Sequence, residues 1–174
     1  GSTFFFDLRQ KVVDWSPLGD FKSRIAKSAE EFSYSRSFIA PAAEILVTDD
    51  NSMNRKVFVS LLKATKVQIT EASGGLEAVE AAAGKHFDII FMDHMMPEVD
   101  GIEAMKRIRA MTDGPCADTP IFALTANAVS RAREMFIREG FDGFIAKPIN
   151  LADFERVMIR ELKESDDDRK GTGL

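Results

Sequence analysis

Ile89-Ile90-Phe91-Met92-Asp93-His94-Met95-Met96-Pro97 is the stretch on which the fold turns. Four consecutive apolar residues suit a parallel strand covered by helices on both faces, and the run stops at a carboxylate. The same grammar recurs on either side. Ile45-Leu46-Val47 runs to Asp49-Asp50, Ile121-Phe122-Ala123-Leu124 to Thr125, and Phe144-Ile145-Ala146 to Lys147-Pro148. Val67-Gln68-Ile69-Thr70 alternates instead, as a strand at a sheet edge does.

Helical periodicities fill the gaps: Met53, Val57 and Leu61; Leu76, Val79 and Ala83; Ile102, Met105 and Ile108; Val129, Ala132 and Phe136; Leu151, Phe154, Met158 and Leu162. Gly84 and Gly140 stand where the second and fourth helices should stop, and Asn150 caps the last. Strict alternation of five strands and five helices predicts an α/β fold, a doubly wound parallel sheet with right-handed crossovers.

The 174 residues allow one such domain plus an extension. With 23 basic against 28 acidic residues, the net charge of -5 argues against nucleic acid or anionic lipid as a partner. Cys116 is the single cysteine, so no internal disulfide or Cys/His zinc cluster forms, and a reducing, cytoplasmic setting is expected. No apolar run is long enough to span a membrane, and no signal peptide opens the chain. Residues Gly1 to Val13 read as one strand and its exit, and residues 14–43 as a linker with a short helix over Asp20 to Phe32. Residues 44–164 form the main domain, and residues 165–174, without apolar periodicity, read as a disordered tail.

In an open α/β sheet ligands bind beyond the carboxyl ends of the strands. That rim collects Asp49, Asp50, Asp93, Thr125 and Lys147. Three carboxylates so placed repel one another unless a cation sits between them, and Mg²⁺, which takes carboxylate, water and phosphate oxygens, is the natural candidate. An aspartate there can attack phosphorus and become an acyl phosphate, with Lys147 and the metal offsetting charge and Thr125 donating a hydrogen bond. Bland readings exist for single residues: Asp49 and Asp50 as helix caps, Thr125 as a strand end, Lys147-Pro148 as a turn. The constellation is what promotes them. His94 is expected to face solvent or a partner and His86 to lie on the surface, while Met92, Met95 and Met96 read as core and loop filler.

Ile45-Leu46-Val47-Thr48-Asp49-Asp50-Asn51, Phe91 to Gly101, Leu124-Thr125-Ala126-Asn127 and Ala146-Lys147-Pro148, in that order at strand ends, closely resemble the motif set of response-regulator receiver domains. The resemblance covers Glu44 to about Glu164 and implies a flavodoxin-like sheet of order 2-1-3-4-5. It implies that Asp93 accepts a phosphoryl group from a phospho-histidine, that Asp49, Asp50, Asp93 and the Met95 carbonyl hold Mg²⁺, and that Thr125 and Lys147 contact the phosphoryl group. Thr125 and Phe144 become the switch pair, with Phe144 where many relatives carry Tyr, and Lys147-Pro148 takes the cis isomer. Ala126 leaves access to the site, and Met95 and Asn127 flank it and set the acyl-phosphate lifetime. Partners are then a histidine kinase or a histidine phosphotransfer domain, docking on the first helix through Asn51, Met53, Asn54, Val57 and Phe58.

Gly1-Ser2-Thr3-Phe4-Phe5-Phe6-Asp7-Leu8 resembles the last glycine box and final strand of a histidine-kinase ATP-binding domain. That order implies the C-terminal part of a hybrid sensor histidine kinase whose parent chain is anchored in a membrane. The other kinase boxes and a phosphorylatable dimerisation helix are absent from this sequence, so its own chemistry is expected to be limited to phosphotransfer and autodephosphorylation. A degenerate receiver serving only as a docking module is the alternative. An aspartate-nucleophile phosphatase or dehalogenase would carry a carboxylate where Met95 stands, and a DNA-binding regulator would carry an output domain and the opposite charge.

Overall fold

The computed structural model describes residues 39–126 and 130–171. The kinase-like stretch, most of the expected linker, and Asn127 lie outside the described residues. Five parallel strands form one sheet in the order β2-β1-β3-β4-β5: β1 Glu44–Thr48, β2 Gln68–Ala72, β3 Ile89–Asp93, β4 Ile121–Thr125 and β5 Gly143–Ala146. The helices are α1 Ser52–Leu62, α2 Gly75–Gly84, α3 Gly101–Ala110, α4 Ser130–Glu139 and α5 Leu151–Gly171. β2 sits at an edge, as its alternating sequence requires, and Gly140 follows α4 with φ of +114°, a conformation that favours glycine.

The strand side chains alternate between two cores. Ile45, Val47, Ile89, Phe91, Phe122 and Leu124 face α1 and α5 and pack with Phe58, Leu62, Phe154 and Met158. Leu46, Ile90, Met92, Ile121 and Ala123 face α2, α3 and α4 and pack with Ala78, Ala82, Ala104, Met105, Ile108 and Phe136. Phe91 lies at the centre of a ring cluster, 5.3 Å from Phe58, 5.1 Å from Phe154 and 6.0 Å from Phe122.

Two helices are rotated by one residue from the expected face. On α1 the buried residues are Phe58 and Leu62, while Met53 and Val57 are exposed; on α2 they are Gly75, Ala78 and Ala82, with Leu76 exposed. Small residues take the buried face of α2, and at its start a Cβ on Gly75 would press on the Val99 carbonyl of the loop before α3. A third difference is at the C-terminus: α5 continues to Gly171, past the point where disorder was expected.

The N-terminal end of the sheet is tied by charge. Arg109 of α3 donates through Nη1 to the carbonyls of Ala117 and Thr119, both at 2.7 Å, and pairs through Nη2 with Asp142 at 2.7 Å. The same Asp142 oxygen accepts the Ile121 amide at 2.8 Å, so one clamp locks the start of β4 against the turn into β5.

Candidate functional site

The parallel register delivers the chemistry to the opposite rim. Asp49 leaves β1, Asp93 closes β3, Thr125 closes β4 and Lys147 leaves β5. The Lys147 amide donates to the Thr125 carbonyl at 2.7 Å, which extends the β4–β5 ladder by one step, and the Lys147–Pro148 bond is cis, the isomer expected.

Lys147 is the hub. Its Nζ lies 2.7 Å from Asp49 Oδ2 and 2.5 Å from Asp93 Oδ2. Burial works against the ammonium charge, yet the hydrogen bonds to Asp49 and Asp93 outweigh it and hold the lysine pKa above its ordinary value. Asp49 and Asp93 are buried and Asp50 is exposed, and the three offer carboxylate oxygens that all lie within 4.8 Å of one another.

The two buried carboxylates are differently engaged. Asp49 Oδ1 accepts the Asn51 amide at 2.9 Å, both of its oxygens accept Asn54 Nδ2 at 3.1 Å, and Oδ2 also takes Lys147. Asp93 Oδ1 accepts the Met95 amide at 3.2 Å. Three carboxylates against one ammonium leave excess negative charge in a set of oxygens without thiol or imidazole ligands. Such a donor set fits a hard divalent cation and not a soft one.

Thr125 is buried at the end of β4, within the rim as expected. Phe144 is half-buried and stacked on Phe136 of α4, with ring centroids 6.3 Å apart and planes 26° off parallel. His94, expected to face solvent or a partner, is instead turned largely inward, its side chain 19% exposed. Its Nδ1 meets the Leu124 carbonyl at 3.0 Å, which makes Nδ1 the protonated nitrogen, and its ring stands edge-on to Phe136 at 5.3 Å. The chain beside the acidic rim therefore reads Asp93, His94, Phe136, Phe144 in continuous contact. His86 is exposed as expected, its Nδ1 2.8 Å from the Pro115 carbonyl.

On the first helix the expected surface set divides. Phe58 is 1% exposed and belongs to the core, so it offers nothing to a partner. Asn51 spends its side chain accepting the Met53 amide as the α1 cap, and Asn54 turns its amide onto Asp49. Among the described residues, Met53 and Val57 of α1 and Met95 of the β3–α3 loop are large apolar residues left exposed. Sequence reasoning had no hold on Asn54 and Arg55 as partners of the acidic loop, because a contact across a loop–helix junction has no periodicity to betray it.

The profile described as the response regulator receiver domain matches residues 45–158. A probable histidine kinase 1 of Oryza sativa subsp. indica is 32% identical over 149 residues, which is 69% of this chain but 15% of that kinase. The chain thus spans a small part of the curated kinases it matches. Among solved structures, the receiver domain of sensor histidine kinase PA1611 from Pseudomonas aeruginosa, with magnesium coordinated in its active-site cleft, is 34% identical with a TM-score of 0.63. That match covers 70% of this chain and 98% of the other. The receiver domain of Saccharomyces cerevisiae Ssk1, crystallised with the histidine phosphotransfer protein Ypd1, is 28% identical with a TM-score of 0.60, covering 67% and 86% respectively. Among the described residues no helix is long and apolar enough to cross a membrane.

Proposed function

The chain belongs to the response-regulator receiver family of two-component signalling, and from that premise we propose that Asp93 is its phosphoacceptor, charged from a phospho-histidine on a histidine kinase or histidine phosphotransfer domain. The carrying observation is the Lys147 ammonium held on both Asp49 and Asp93 at the rim. An Asp93 carboxylate oxygen bonds to phosphorus as the P–N bond breaks, and the departing imidazole keeps the electron pair. Lys147 already stands where a phosphoryl oxygen on Asp93 needs a counter-charge, and the Thr125 hydroxyl closes the same rim as a hydrogen-bond donor.

Asp49, Asp50 and Asp93, with the Met95 carbonyl, are the residues that would hold Mg²⁺. When bound, the cation supplies charge neutralisation for the phosphoryl oxygens. The crowded carboxylates of this rim support that assignment, and so does the metal in the similar cleft of PA1611. Thr125 and Phe144 form the switch. Phe144 moves by packing against Phe136, which also touches His94 beside the phosphoacceptor.

The protein donor docks on α1 and the adjoining loop, over Met53, Val57 and Met95, which are 62%, 47% and 70% exposed. Asn51 and Asn54 support that surface from its polar edge. The segment is the receiver of a longer, cytoplasmic signalling chain, in which residues 1–13 end a kinase domain and residues 14–43 link it to the receiver.

Intact-mass measurement after incubation with Mg²⁺ and a small phosphodonor tests the acceptor. One phosphoryl group should appear on the native chain and none on Asp93→Asn; an unmodified native chain would leave only the docking-module reading. Val57→Asp should slow transfer from a phosphorylated protein donor while sparing uptake from the small one.

A further inference from the structure

The acidic loop spans only Asp49, Asp50 and Asn51 between β1 and α1, and the first turns of the helix that follows hold it from two sides. Asn54 places Nδ2 3.1 Å from each Asp49 carboxylate oxygen. Arg55, the next residue, reaches under the backbone: Nη1 is 2.7 Å from the Asp49 carbonyl and 3.5 Å from the Asp50 carbonyl. Its Nε is 3.1 Å from Glu71 Oε2 of β2, which anchors the guanidinium to the neighbouring strand, and the side chain is 16% exposed.

These contacts divide the acidic pair by role. Asp49 is occupied on both oxygens by Asn54, the Asn51 amide and Lys147, whereas Asp50 presents an exposed carboxylate on a backbone whose carbonyls are gripped by Arg55. A guanidinium suits that grip because its planar fork offers several donors in fixed directions, which a lysine ammonium does not. Its charge is already engaged by Glu71, so its contribution lies in where it holds the loop.

Resting on the cation site proposed above, we propose that Asn54 and Arg55 are positioning residues for cation binding, fixing the direction in which Asp50 and Asp49 present their oxygens. Two roles for Arg55 predict opposite signs. A mere cation beside three carboxylates competes with Mg²⁺, so its removal tightens binding. A positioning residue, like other groups that orient metal ligands, weakens binding on removal, by about tenfold or more.

The test is Mg²⁺ titration of the full chain, followed by backbone amide shifts in NMR spectra that also report whether each variant is folded. Arg55→Gln, Arg55→Lys and Asn54→Ala should each raise the Mg²⁺ Kd, by about tenfold for the two Arg55 variants. Arg55→Lys keeps the charge and loses the fork, so it separates the two roles. Lys56→Gln, which removes an exposed cation from the same helix, should leave the Kd unchanged or lower it. Tighter binding by Arg55→Gln with Arg55→Lys unchanged, or unaltered affinity in all variants, would overturn the inference while leaving the cation site intact. A native chain whose spectrum ignores Mg²⁺ would overturn the cation site and this inference with it.

Discussion

Thr48 is the last residue of β1, fully buried, between Ala72 of β2 and Met92 of β3 in the strand register. Among the described residues its hydroxyl has no hydrogen-bond partner. A buried hydroxyl that forgoes its water bonds without replacement costs about 1–3 kcal/mol. Valine has the same shape, so Thr48→Val opens no cavity and adds no atom that must be accommodated; only the stranded polar group goes. The expected gain is about 1.5 kcal/mol, which raises Tm by roughly 5 °C for a domain of this size. Urea denaturation at fixed Mg²⁺ measures it, and the m-value should stay constant because the surface exposed on unfolding does not change. Because Asp49 is held by Asn51, Asn54 and Lys147 and not by Thr48, Mg²⁺ binding should be unaffected. A lower or equal midpoint would refute the reasoning, since it would mean the hydroxyl is satisfied in solution.

Three further outcomes follow from the rim. At Gly101 a Cβ would press on the Asp93 carbonyl and come within 2.8 Å of the His94 Cα, both backbone atoms; Gly101→Ala should destabilise by about 1–3 kcal/mol and reduce phosphoryl uptake in intact-mass spectra. Glu98 is exposed with φ of 65°, left-handed backbone that a side chain resists. Glu98→Gly should therefore stabilise by about 0.5–1 kcal/mol after the entropy of the added glycine is offset, read as a higher urea midpoint. Asp50→Asn relieves crowding among the carboxylates, so in EDTA its melting temperature should exceed that of the native chain. The native chain should gain about 2.7 kcal/mol at Mg²⁺ concentrations about a hundred times Kd, and the variant should lose most of that gain in the same calorimetric scans.

The strands were legible because a strand covered on both faces must be apolar throughout, and because each useful residue sits directly after such a run. Asp49, Asp93, Thr125 and Lys147 could be placed on one rim by that rule alone. Helix rotation was less legible. α1 carries Met53, Val57, Phe58, Leu61 and Leu62, an apolar stripe wider than the face the sheet can cover, and periodicity alone does not say which edge of the stripe is buried. Phe58 was thus read as surface when the ring cluster around Phe91 claims it. His94 was misread for a related reason: its position in a loop suggested exposure, whereas the Leu124 carbonyl and the Phe136 edge turn it inward. The Asn54 and Arg55 contacts depend on the path of a three-residue loop, which side-chain type and spacing do not encode.

The ion pairs of Lys147 also bear on how the chain is made. Its carboxylate partners precede it by 98 and 54 residues. At a synthesis rate of roughly 5–20 residues per second, Asp49 leaves the ribosome about 5–20 s before its ammonium exists. Throughout that interval β1, an inner strand of the sheet, leads into Asp49 without its counter-charge. The rim is therefore among the last parts of the domain to be assembled, and a nascent chain arrested before β5 holds Asp93 without the lysine that pairs with it.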